Sequence, residues 1–301
     1  MLFRSSDGTG PASVRRLARQ TAVALGGQTS VRLVFDDSLF TGPALGPGWA
    51  SGFPAAGVAA PVSALMMDQG RKSPKAAARV KDPALRTARA FSRFLKNQGI
   101  TVRSVERGKA PATARELSRV ESDTITTMVQ RMLTASDNDV AECLGHLIGG
   151  AVSGDASFVG GAEGTTQVLR EAGIDVAGLD LFDASGLSPD NRVAPVTIGE
   201  VLSTVVREER WSAISGGLAV AGVTGTLATR FTTDAASAGR GIVRAKTGTL
   251  TGVGALAGTL VDRTGYPLVF VVIGNEIRSQ ARARNVMDRL ASSLTECGCR
   301  Q

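Results

Sequence analysis

Histidine is almost missing from this 301-residue sequence, with His146 the single example. Cysteine is nearly as scarce, at Cys143, Cys297 and Cys299, and no C-x-x-C occurs. Together these absences exclude the usual Cys/His zinc sites, so no metal is expected. A Ser-His-Asp arrangement would have to be built on His146, and nothing around it resembles a nucleophile elbow. His146 reads instead as an ordinary helix residue. Cys143 falls in the same apolar helical pattern and reads as a small buried side chain. Cys297 and Cys299 could pair with each other or with nothing. No apolar run approaches the ~20 residues of a membrane span, and the opening MLFRSSDGTG lacks the charged and apolar regions of a secretory signal. Aromatic residues make up only 4% of the chain. No stacking pattern runs through its basic half, so no nucleic-acid partner is expected. Nothing points to a cofactor.

Lysine is the informative scarcity. It stands at positions 72, 75, 81, 96, 109 and 246, against 28 arginines. Arginine is the default basic residue, so Lys246 in RAKTGTLTG (244–252) is either a solvated lysine at the start of a strand or a specific choice. Charge is also uneven. Residues 1–115 carry 18 Lys and Arg against six Asp and Glu, a net +12, whereas residues 116–301 carry 16 against 21, a net −5. Such asymmetry suggests two units, 1–115 and 116–301, with different surroundings. The basic one could meet an anionic lipid or an anionic wall polymer, or simply be well solvated.

The first unit reads as α/β. Apolar spacing predicts helices over 11–27 and 84–100 and strands over 29–40, 61–68 and 100–105, with a long irregular loop at 41–62. The second reads as α+β. Two helices within 121–150 are separated by a tight TASDN corner, and helices follow at 163–174, 196–209 and 279–294. A turn-rich loop spans 180–195, and three strands lie near 242–247, 252–261 and 267–274.

Three features stand out within this frame. Ser136-Asp137-Asn138 occupies the helix–helix corner, where all three residue types also serve as helix caps. Lys246-Thr247-Gly248-Thr249 opens an edge strand 110 residues later. Between them lies DASGLSPDN (183–191), whose hydroxyls and carboxamide suit a self-bonded loop better than direct chemistry. An S-D-N followed by a K-T-G at domain-scale spacing is the pairing known from penicillin-binding proteins and class A β-lactamases.

On these residues the chain resembles the D-alanyl-D-alanine carboxypeptidase/endopeptidase branch of the low-molecular-mass penicillin-binding proteins. The D-x-S-G-L-S-x-x-N loop containing Asp183, Ser185 and Gly186 is typical of that branch. SDNDVAECL, GTLATRF (225–231) and KTGTLTGVGALAG are similar to it. So are FDDSLFTGP (35–43), GPGW (46–49) and APVSALMMDQGR (60–71), which look like its inserted domain. The resemblance implies a transpeptidase-like α+β domain, an antiparallel sheet with helices, preceded by a smaller α/β inserted domain. It also implies a serine-type D,D-peptidase acting on peptidoglycan stem peptides outside the cytoplasm and inhibited by β-lactams. Under it, Ser136 would relay a proton to the leaving D-alanine, Asn138 would hold the substrate amide and the lysine, and Lys246 would supply positive potential. Thr247 and Thr249 would meet the substrate carboxylate, and Gly248 would let the substrate backbone lie against the strand. β-Lactamases share the two motifs but not the loop or the insertion.

The family's nucleophile motif, S-x-x-K, does not occur. Three residues before the six lysines stand Gln69, Lys72, Ala78, Arg93, Glu106 and Val243, and Ser92 lies four before Lys96. An N-terminally incomplete chain would lack the export signal and the nucleophile together, which is the expectation here. The alternative is a non-catalytic relative that binds wall peptides or an anionic wall polymer.

Overall fold

The computed structural model describes residues 2–3 and 12–298. Cys299 lies outside them, and so does any pairing of Cys297 with Cys299. The chain forms two compact units, one of residues 1–124 and 142–161 and the other of residues 125–141 and 162–301. The boundary read from charge at 115 differs from this division. Residues 116–124 group with the first unit, and so does the segment 142–161, because Cys143 and His146 are buried there among first-unit side chains.

The first unit is built on a strand–helix–strand crossover. Strand β2 (Ser30–Phe35) pairs in parallel with β4 (Thr101–Arg107), and α3 (Pro83–Lys96) runs between them in sequence. Helix α1 (Val14–Ala24) precedes β2. Local chemistry sets each boundary. The Ser13 hydroxyl caps α1 by accepting from the Arg16 N–H at 3.3 Å. Asp82 caps α3 by accepting from the Leu85 N–H at 2.9 Å, with Pro83 preset for the first turn. Strand β2 stops at Phe35 because the Asp36 carboxylate folds back onto the Ser38 N–H at 2.9 Å. One core joins Ala18, Leu95, Ile100 and Val102 to the inward side chains of β2 and β4. The strand expected over 61–68 shrinks to β3 (Met66–Met67), which pairs with β1 (Leu2–Phe3). The loop before β3 is irregular apart from α2 (Phe53–Ala56).

The second unit contains an antiparallel sheet in the order β5-β6-β7-β8. Its strands are β5 (Ala219–Val220), β6 (Arg244–Leu250), β7 (Val253–Val261) and β8 (Pro267–Gly274). The two-residue β5 had no signal in the sequence. Strand β7 alternates as a half-buried strand should: Gly254, Leu256, Gly258 and Leu260 are buried and their neighbours less so. Gly258 is required there, since a Cβ would collide with the Arg244 carbonyl of the paired strand. Leu256, Leu260 and Phe270 pack with Leu227, Phe231 and Val243, and with Met287 and Ala291 of α9 (Gln280–Thr295). The remaining α-helices of the chain are α4 (Ile125–Ala135), α5 (Asn138–Val152), α6 (Phe158–Glu171), α7 (Pro195–Arg207) and α8 (Ser212–Gly217), with residues 142–161 of α5 and α6 belonging to the first unit. Helix α6 begins five residues before the expected 163, since Gly160 and Gly161 are tolerated in a turn where packing leaves no room for a Cβ.

Candidate active site

Ser136 owes its position to a helix end. The Asp137 N–H donates to the Met132 carbonyl at 3.0 Å, closing α4 with Ser136 in the left-handed region at φ +54°. Glycine is the usual occupant of that position. Asp137 then opens α5, its carboxylate accepting from the Val140 N–H at 3.1 Å and its carbonyl from the Ala141 N–H. The corner is therefore a C-terminal stop and an N-terminal cap in three residues. Asn138, half-buried, is the first residue of α5.

The α4 end is held from one side. Thr134 donates to the Gly217 carbonyl at 2.7 Å. Gly225, at φ +53°, lies so close to the Thr134 carbonyl that any Cβ would overlap it. The segment GTLATRF thus presses against the turn that presents Ser136. Its far end is fixed by a buried ion pair, Arg230 to Asp288 of α9 at 2.6 Å, with side chains 13% and 7% exposed.

Lys246 lies near the start of β6. Its Nζ donates to the Ser136 Oγ at 2.7 Å and to the Thr247 carbonyl at 2.8 Å. Burial pushes the ammonium pKa down from its ordinary 10.5 to about 8, because the charged form loses hydration. The next residue, Thr247, donates to the Thr226 hydroxyl at 3.1 Å. Strand β5 pairs only with Arg244 and Ala245 of β6. From Lys246 onward, the side of β6 away from β7 therefore has no strand neighbour among the described residues. Gly248 and Thr249 continue this open edge, with Thr249 exposed.

Asp183 sits at the centre of its own loop. Its carboxylate accepts from the N–H groups of Gly186 at 2.9 Å and Ser188 at 2.6 Å, and from the Asn191 amide at 2.8 Å. Asn191 in turn accepts from the Phe182 N–H at 2.7 Å. Gly186 takes φ +76°, and Ser185 precedes it at the turn. His146 lies in the first unit with its ring 4.9 Å from Phe40 and 4.7 Å from Phe158. Its Nδ1 bonds the Glu142 carbonyl, and burial lowers its pKa.

Of the residues singled out in the sequence, the fold brings Ser136, Lys246 and Thr247 together and puts Asn138 at the head of the following helix. Asp183, Ser185 and Gly186 form a self-bonded loop. Thr226 was not anticipated at the site: the sequence marked GTLATRF as a segment but gave no reason to single out its threonine. Among the described residues, no group of three or more His, Cys, Asp or Glu side chains is arranged to hold a metal.

A model of the D-Ala-D-Ala carboxypeptidase 3 (S13) family matches residues 71–297. The chain is similar to a carboxypeptidase of Mycobacterium tuberculosis, 37% identical over 278 residues, 91% of this chain and 59% of that one. It is also similar to carboxypeptidase DacB of Mycolicibacterium smegmatis, 35% identical over 295 residues, 96% of this chain and 63% of that one. It thus spans about three fifths of the length of these two relatives. In fold it is similar to penicillin binding protein 4 of Haemophilus influenzae, with a TM-score of 0.79 at 22% identity, covering 94% of this chain and 79% of that one.

Proposed function

Because the chain belongs to the D-Ala-D-Ala carboxypeptidase 3 (S13) family, we propose that the groove beside β6 takes peptidoglycan stem peptides ending in D-Ala-D-Ala, as part of a serine D,D-peptidase working outside the cytoplasm. The observation that carries this reading is the 2.7 Å bond between Lys246 and Ser136, made by a lysine whose pKa is held near 8. A proton carrier works best when its pKa lies near the working pH. Ser136, bonded to that lysine, can pass a proton to the amine of the departing D-alanine. Thr247 and Thr249 on the open strand edge meet the terminal carboxylate, Asn138 holds the substrate amide, and Gly248 leaves room for the substrate backbone. β-Lactams, which mimic the terminal peptide, bind the same groove as inhibitors. In penicillin-binding proteins the acylated serine is that of an S-x-x-K, and no such pair occurs in the 301 residues. What these residues supply is the leaving-group and carboxylate-binding side of the reaction.

The test joins the chain to an S-x-x-K segment taken from one of the relatives and exposes it to a fluorescent penicillin. Covalent labelling that is lost on serine replacement and sharply reduced by Lys246→Ala supports the proposal. Labelling indifferent to Lys246 would remove it. A second reading, a non-catalytic wall-peptide binder, uses the open Lys246–Thr249 edge for docking without chemistry. It predicts binding of a D-Ala-D-Ala peptide over its L-Ala-L-Ala isomer with no labelling in the joined protein.

A further inference from the structure

The first unit holds a basic cleft of about 530 Å³ along one face of α3, lined by Arg86, Arg89 and Arg93 together with Lys72 from the preceding loop. The three arginines follow one another at i, i+3 and i+7, so they share a stripe of the helix. Ala84, Ala88, Ala90 and Leu95 of the same helix are buried.

The cleft's charge is only partly neutralised from within, by Asp68 beside Arg86. Neighbouring cations are consumed by local structure: Arg71 donates to Gln69 and to the Ala76 carbonyl, and Arg79 donates to the Ala77 carbonyl. Lys72, Arg89 and Arg93 have no side-chain hydrogen bond or ion pair among the described residues. Asp82, an acid on the cleft wall, is committed elsewhere. It caps α3 and accepts from Arg107 through both oxygens at 2.9 Å. Arg86 is the most constrained member. Its Nη1 is buried without a hydrogen-bond partner, and Asp68 stands 3.9 Å away, beyond hydrogen-bonding distance. Burial lowers the pKa of this guanidinium, with repulsion from Arg93 adding to the effect and Asp68 opposing it. A buried guanidinium nitrogen whose paired carboxylate stands 3.9 Å away, and which Arg93 repels, is only partly compensated, and an anion in the cleft would supply the acceptor it lacks. Guanidinium groups grouped in this way suit phosphate oxygens.

We propose that this cleft is a binding site for a phosphodiester-linked anionic wall polymer, with Arg86 and its neighbours on α3 gripping the phosphates. The cleft wall contains no aromatic side chain, so bases have nothing to stack on as single-stranded nucleic acid requires. None of the exposed large hydrophobic residues falls between 66 and 93, so the face lacks the apolar wedge of a membrane-lying surface. A polyol or sugar phosphate needs neither. The choice of a wall polymer among polyanions rests on the peptidoglycan substrate proposed above; the anion site does not.

The experiment measures binding of the 301-residue chain to poly(glycerol phosphate) by fluorescence anisotropy. Neutral dextran, single-stranded DNA of matched charge and phosphatidylglycerol vesicles run in parallel. The expected result is binding that weakens between about 50 and about 200 mM salt and falls roughly tenfold or more in R89Q/R93Q. R16Q/R19Q, an equal charge change on exposed positions of α1 outside the cleft wall, should retain it. Thermal melts check that each variant folds. If the double variant melts early, R93Q alone, at an exposed position, replaces it. Absent polymer binding, equal loss in both double variants, or tighter binding to DNA or vesicles would each overturn the proposal. Penicillin labelling plays no part in this measurement, so the two proposals fail separately.

Discussion

At the scale of single residues, Ser136 and Lys246 hold positions that folding alone would not choose. Ser136 occupies the left-handed helix stop at φ +54°, where a side chain costs roughly 1 kcal/mol relative to glycine. Ser136→Gly is therefore expected to keep or slightly raise the melting temperature in calorimetry. In the joined protein it should strip most penicillin labelling. A marked loss of stability would mean that the serine is there for the fold. Lys246 gives a pH signature. Its folded pKa of about 8 lies below the ordinary 10.5, so between those values the unfolded chain binds the extra proton. Stability should rise with pH across that window and lack this gain below it. The full gain is on the order of 3 kcal/mol at most. Urea melts at about pH 7.5 and about pH 10 check it: Lys246→Met should flatten the rise relative to the parent chain.

At the scale of elements, two polar knots hold parts of the second unit together. The Asp183 carboxylate takes three donors within the 182–191 loop. Asp183→Ala leaves those donors without their acceptor and should cost about 2 kcal/mol or more, read as a lower denaturation midpoint. The buried Arg230–Asp288 pair ties the GTLATRF segment to α9, and Asp288 also accepts from the Phe231 N–H at 3.3 Å. Asp288→Ala strands a buried guanidinium and should destabilise by roughly 3–5 kcal/mol. Replacing both partners with apolar residues of similar size should recover much of that loss. Additive losses in the double-mutant cycle would show that the pair is not coupled.

At the scale of the whole molecule, the chain divides into a basic α/β unit and a nearly neutral α+β unit that carries the Lys246–Thr249 edge. The 301 residues contain Lys246 of the third motif but no serine–lysine pair of the first. An activated nucleophile supplies most of the rate in acyl transfer; in triad hydrolases the remainder is only ~10³–10⁴ over water. The purified chain on its own should therefore form no covalent adduct with a fluorescent penicillin, as checked by mass spectrometry. A stoichiometric adduct would identify an unforeseen nucleophile, with Ser92 and Ser136 the first to map.

Much of this was already in the sequence because its physics is local. Apolar spacing and caps such as Asp82 and Pro83 mark α3 without any tertiary contact, and period-two alternation marks β7. The TASDN corner is legible because a stop and a cap fit into three residues, and scarcity made Lys246 conspicuous. Tertiary structure decided what depends on distant chain segments. Whether Lys246 reaches Ser136 across 110 positions depends on how β6 lies beside the end of α4. Its lowered pKa depends on burial, which only the assembled fold creates. Thr226 joined the site because Gly225 fits beneath the Thr134 carbonyl, a contact with no sequence period. The stub β5 is too short for any pattern, yet by beginning only at Ala219, opposite Ala245, it leaves the Lys246–Thr249 edge open. Local preference wrote the elements and the motifs; desolvation and close approach, which belong to pairs of distant segments, turned them into a site.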